Sequence, residues 1–122
     1  MRWAREDLAL ALDDVDKDDL VARGPCMWAH QAGEKAIKAL LIARDIDPPK
    51  RHDLDALCAR LPSDDAAPLL ELRLPDLTQW AIDGRYPDDF VEATHEHARR
   101  AVELARRVIA TVEQRLAAEL PP

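Results

Sequence analysis

The stretch Pro25-Cys26-Met27-Trp28-Ala29-His30-Gln31-Ala32-Gly33-Glu34-Lys35-Ala36-Ile37-Lys38-Ala39-Leu40-Leu41-Ile42-Ala43-Arg44 decides the fold. At about 100° per residue it places Ala29, Ala32, Gly33, Ala36, Ala39, Leu40 and Ala43 on one helical face that is almost entirely small. A face without bulk lets another helix approach closely. The opposite side carries a polar stripe of His30, Gln31, Glu34, Lys35 and Lys38, bounded by Met27, Leu41 and Ile42. Gly24-Pro25 opens the block, at a position where the missing proline N–H has no helical partner to lose.

Outward from this helix, breakers divide the chain into further helical blocks. Arg2 to about Lys17 repeats Ala4, Leu8, Ala11, Leu12 and Val15 at spacings of three and four. The acids from Asp13 to Asp19 oppose the dipole at the end of that block, so fraying is expected there. Pro48-Pro49 and Lys50-Arg51-His52 form a loop, and a short helix from about Asp53 to Leu61 should bury Leu54, Leu57 and Leu61. A Leu-rich block from about Ala66 to Asp83 contains Pro75, which should kink or split it near Leu74. Gly84 ends that block and Arg85-Tyr86-Pro87-Asp88 makes the next connection. The last block, about Asp88 to Leu120, carries a stripe of Val91, Ala98, Val102, Ala105, Ile109, Val112, Leu116 and Leu120. It is the longest, so it should form the spine, with its far end expected against a second subunit. No repeat and no linker interrupt the series. The expectation is one all-α domain over residues 1–122, an up-and-down bundle of four to five helices.

Composition agrees and removes several chemistries. Of 122 residues, 21 are Ala and 17 Leu, against five aromatics and six Val, a pool that suits helices better than strands. Three Gly exclude a glycine-rich phosphate loop. Ser63 is the one serine, in Pro62-Ser63-Asp64-Asp65, read as a loop without the glycines of a nucleophile elbow. Cys26 and Cys58 form no paired-cysteine motif, so two reduced thiols are expected, with neither a zinc knuckle nor a disulfide. No apolar run reaches the roughly 18 residues of a membrane span, and MRWAREDL lacks the apolar core of a signal peptide, so a cytoplasmic protein with no membrane partner is expected. A net charge of −7 argues against a general nucleic-acid coat protein, yet residues 23–60 carry seven basic and five acidic side chains, which allows a local anion site.

The segment from Ala29 to Leu41 resembles the second helix of the HEPN domain family. Arg51-His52-Asp53-Leu54 resembles that family's short His-Asp-Leu start to its third helix, and Arg85-Tyr86-Pro87-Asp88 and the long last helix follow in the same order. The resemblance covers nearly the whole chain. It implies a compact all-α fold, a homodimer, and a minimal nucleotidyltransferase as partner, in a toxin–antitoxin or defence pair, with nucleotide or RNA as further ligands. Some members are metal-independent RNases built on an Arg, four to six intervening residues and a His, the His acting as general base and the Arg stabilising the phosphorane. That spacing is not found here: His95, His97 and Arg99 run in the wrong order, nine residues separate Arg85 from His95, and Gly24-Pro25 interrupt Arg23 to His30. An endoribonuclease toxin is therefore the alternative reading, and a structural helical adaptor a further one.

Within that frame His52 and Arg85 are the candidate catalytic residues. His30, Gln31, Glu34, Lys35, Lys38, Lys50, Arg51, Tyr86 and Asp88 are candidates for ligand binding. Each has a plainer reading. The α-helical stripe His30 to Lys38 also fits a solvated face with a Glu34–Lys38 pair worth roughly 0.3 kcal/mol. His52 or Asp53 also fits a helix cap, although Lys50, Arg51 and His52 beside a helix N-terminus would equally suit an anion. Arg85 could tie its loop to a carboxylate, or with Tyr86 take a phosphate or a base ring. His95 and His97 lack the i,i+4 spacing of helical metal ligands, so no metal and no cofactor are expected.

Overall fold

A computed structural model describes residues 1–14, 23–81 and 93–118. Six helices lie in this order: α1 Arg2–Asp14, α2 Arg23–Ala43, α3 Leu54–Cys58, α4 Ser63–Leu70, α5 Pro75–Thr78 and α6 His95–Ala117. No strand occurs among the described residues. The architecture is an all-α bundle in which α2 is central, packed on α1 and most extensively on α6, while α3, α4 and α5 close one side.

The small face of α2 explains its central place. Ala29, Ala32, Ala36 and Leu40 are fully buried. Gly33 is where three elements converge: a Cβ there would stand 2.9 Å from Leu77 Cδ2 of α5, 3.6 Å from Leu54 Cδ1 of α3 and 4.0 Å from Val108 Cγ1 of α6. Ala98, Val102, Ala105, Ile109 and Val112 supply the facing stripe of α6, with Leu116 partly buried against it. Val91 and Leu120 lie outside the described residues.

Helix ends differ from the expected ones for local reasons. α2 finishes in a Schellman arrangement: Asp45 takes φ 59°, its N–H bonds to the Ile42 carbonyl at 3.0 Å, and the Ile46 N–H bonds to the Leu41 carbonyl at 2.9 Å. α4 begins at Ser63, so Pro62-Ser63-Asp64-Asp65 is its first turn instead of a loop, with both acids where the dipole favours them. Pro75 does split the Leu-rich block, opening α5 at its first turn. α6 starts at His95, later than Asp88, because Thr94 caps it: Thr94 Oγ1 accepts from the His97 N–H at 3.1 Å and His97 Nδ1 accepts from the Thr94 N–H at 3.2 Å. The His97 ring also packs on buried Trp80, with centroids 5.5 Å apart.

Two further departures concern buried charge. On α1 the buried positions are Ala4, Asp7 and Ala11 with Leu8 partly covered, whereas Leu12 is exposed. Asp65 is 2% exposed and accepts from Arg44 Nε at 2.5 Å, Arg44 Nη2 at 2.8 Å and Arg115 Nε at 2.9 Å. It thereby ties the end of α2 and the end of α6 to the start of α4. These hydrogen bonds, Arg44's first, hold the Asp65 carboxyl below the usual aspartate range although its burial opposes them.

Candidate functional site

One helical row of α2, His30, Glu34 and Lys38, organises the polar side of the molecule. It is not the solvated face that its composition allows: His30 is fully buried and Glu34 is 5% exposed. The partner is the loop between α2 and α3. His30 Nε2 donates to the His52 carbonyl at 2.8 Å, and Glu34 Oε1 accepts from His52 Nδ1 at 2.6 Å. Glu34 Oε2 accepts from Lys38 Nζ at 3.2 Å, so one buried carboxylate spans an imidazole and an ammonium. The two rings lie 6.5 Å apart.

Protonation follows from these contacts. Burial pushes the His30 imidazole below its ordinary value, against the opposing pulls of the His52 carbonyl and the Glu34 charge. A neutral His30 with its proton on Nε2 satisfies the carbonyl and leaves Nδ1 buried with no hydrogen-bond partner. For His52, donation from Nδ1 to Glu34 makes Nε2 the acceptor nitrogen of the neutral ring, the form a proton-accepting group requires.

The other candidates take separate places. Lys35 turns to Asp7 of α1, with Nζ and Oδ2 2.6 Å apart. Gln31 is half-buried, and Lys50 and Arg51 are exposed in the loop preceding His52. The α3 N-terminus does not offer its amides to an anion. Asp53 caps it, accepting from the Asp55 and Ala56 N–H groups at 3.0 and 3.4 Å, while the Leu54 N–H donates to Thr78 Oγ1 at 3.2 Å. Arg85, Tyr86 and Asp88 lie outside the described residues. The structure thus brings together His30, Glu34, Lys38 and His52 and sets Lys35 apart with Asp7.

Two open spaces flank these residues. A cavity of about 580 Å³ at the α1–α2 seam is lined by Trp3, Glu34, Lys35, Lys38, Ile42 and Pro48 among others. A larger groove of about 1260 Å³ runs along Trp80, Arg73 and the first half of α6. Its arginines are partnered locally, Arg73 with Asp76, Arg100 with Glu96 and Arg107 with Glu103. Among the described residues no group of three His, Cys, Asp or Glu side chains could hold a metal ion, and no helix is long and apolar enough to cross a membrane. The two cysteines are buried thiols, Cys26 pushed up to about 11 and Cys58 to about 12 by desolvation.

Comparison with known proteins places this arrangement. The family model described as HEPN domain matches residues 1–115. The chain belongs to the HEPN domain family. A HEPN fold is also what the crystal structure of TT1696 from Thermus thermophilus supports: it superposes with a TM-score of 0.79 at 31% identity, over 93% of this chain and 92% of that one. Curated proteins return no match. In this HEPN chain the buried Asp7 and the Glu34–His52 contact were not readable from spacing. Asp7 left one trace, its place in the 4, 7, 8, 11 row of α1. Glu34 and His52 come from separate elements and left none.

Proposed function

We propose that this HEPN domain is the dimeric partner of a minimal nucleotidyltransferase in a toxin–antitoxin or defence pair, and that a nucleotide or RNA phosphate meets it at the His52 corner of α2. The observation carrying this reading is the His52 imidazole held by a buried carboxylate at 2.6 Å. Exposed Lys50 and Arg51 stand beside it in sequence, in the net-positive part of an acidic chain. A side chain fixed before its ligand arrives loses less freedom on binding than a mobile one. Co-expression with a nucleotidyltransferase encoded in the adjacent reading frame, followed by gel filtration, tests the partnership. Thermal shift with a panel of nucleotides tests the ligand, since a ligand at 100 times its Kd stabilises the fold by roughly 2.7 kcal/mol. Failure to co-purify together with no shift in wild type, or an equal shift in His52→Ala, would refute the reading.

A second reading is favoured by the same contact. Glu34 orients His52 with its Nε2 as acceptor, which suits a general base toward a ribose 2′-hydroxyl, with Arg85 as the group that stabilises phosphorane charge. Incubation with total RNA in EDTA separates the two. Cleavage lost in both His52→Ala and Arg85→Ala supports a metal-independent endoribonuclease, and intact RNA refutes it.

A further inference from the structure

The cavity at the α1–α2 seam has an apolar wall and a cationic side. Trp3, Ala39, Ile42 and Pro48 form the wall, and Lys35 and Lys38 the other side. At about 580 Å³ it has the size of a small-molecule site. Trp3 and Ile42 are each 62% exposed, and two large apolar side chains on one cavity exceed the scattered apolar residues of an ordinary surface.

The two lysines are not held alike. Lys35 meets the buried Asp7 at 2.6 Å. Lys38 meets Glu34 at 3.2 Å, and the other oxygen of Glu34 is engaged by His52 at 2.6 Å. Lys38 therefore shares its counter-charge and is the cation an incoming anion can draw away. Its side chain also retains more than a fifth of its surface in water, so it can reach such a ligand without leaving the helix row.

We propose that this cavity binds an aromatic anion, with the ring against the Trp3 indole and the negative group on Lys38, and that Glu34 competes with the ligand for that lysine. Aromatic rings stack offset or edge-on with indole at a separation that this wall permits, and an ammonium supplies a point charge to carboxylate, sulfonate or phosphate alike. When Lys38 turns to the ligand, Glu34 is left to His52 alone. The cavity and the His52 corner then communicate through one carboxylate, and by linkage each must respond to the other. The inference does not depend on a nucleotidyltransferase partner or on RNA chemistry.

The probe is 8-anilinonaphthalene-1-sulfonate, read by its fluorescence and by energy transfer from tryptophan, with circular dichroism verifying that each variant is folded. Trp3→Ala and Lys38→Met should each weaken binding about tenfold, the loss of one stacking or charge contact. Trp28→Ala, exposed but outside the cavity, should leave it unchanged. Glu34→Gln should tighten binding several-fold by removing the competitor. His52→Ala, which tests the same point should Glu34→Gln not fold, should weaken it by returning Glu34 wholly to Lys38. Displacement by millimolar AMP would assign a nucleotide source and displacement by indole-3-acetate a free aromatic acid. Displacement by neither, or wild-type affinity in both Trp3→Ala and Lys38→Met, overturns the proposal. Unchanged affinity in Glu34→Gln, or in His52→Ala where the former does not fold, overturns the competition.

Discussion

Replacing Asp65 by alanine should be among the most damaging single changes to this domain. Asp65 is 2% exposed and is the shared acceptor of Arg44 and Arg115, whose side chains are 11% and 31% exposed. Removing the carboxylate leaves Arg44 a buried cation without its counter-charge, a loss of about 3–5 kcal/mol for a broken buried pair. Arg115 adds little, since it can turn to water. A fall of about 3 kcal/mol, set against an unfolding entropy of roughly 2.1 cal/mol/K per residue, corresponds to a drop of about 12 °C in Tm. Urea unfolding followed by far-UV circular dichroism measures the loss, and Asp65→Ala/Arg44→Met should recover part of it by removing the stranded charge. The pH dependence has a defined sign. The Asp65 carboxyl is depressed in the fold, so its contribution is complete above the unfolded aspartate value of about 3.9 and disappears as pH falls through the folded one. Asp65→Asn should remove that acid-side dependence. A cost under about 1 kcal/mol for Asp65→Ala, with no recovery in the double variant, would refute the view that this cluster is desolvated and holds three helices together.

Three further outcomes are expected. Gly33→Leu should cost several kcal/mol in chemical denaturation, because even a Cβ would lie 2.9 Å from Leu77 Cδ2. Gly33→Ala should come out near neutral, as about 1 kcal/mol of helix propensity offsets a small shift of that leucine tip. Burial depresses the His30 imidazole, so on acidification the unfolded chain takes up its proton first and stability declines as pH falls below about 6.5; His30→Gln, which keeps a donor near Nε2, should flatten that decline in pH-dependent thermal scans. Asp45→Gly should raise stability by about 0.5–1 kcal/mol, since the left-handed φ of 59° at the end of α2 suits glycine; a lower Tm would contradict this.

The sequence exposes what repeats along a helix and hides what crosses between elements. The small face of α2 and the stripe of α6 were legible because burial follows a 3.6-residue period that covers whole blocks. The start of α6 was misplaced although its signal was present, since Thr94 and His97 have the spacing of a capping box with histidine in the glutamate's role. The burial of His30 and Glu34 was not legible. A stripe of His, Gln, Glu and Lys looks solvated until a loop 18 residues beyond Glu34 folds over it, and nothing in the spacing announces His52 as that cover. Asp65 was hidden for the same reason: its partners stand 21 and 50 residues away.

His52 is gripped at both ends, its backbone carbonyl by His30 and its ring by Glu34, while the other end of the same loop is closed by the bonds around Asp45 and Ile46. Loops ordinarily absorb insertions at little cost, because closure entropy grows slowly with length. This one should not. An added residue anywhere between Ile46 and His52 would have to be bulged out without moving either clasp, so the connection has in effect a fixed length. A scan of single-glycine insertions across it should find the intolerance of a core element on what is otherwise a stretch of mostly exposed surface.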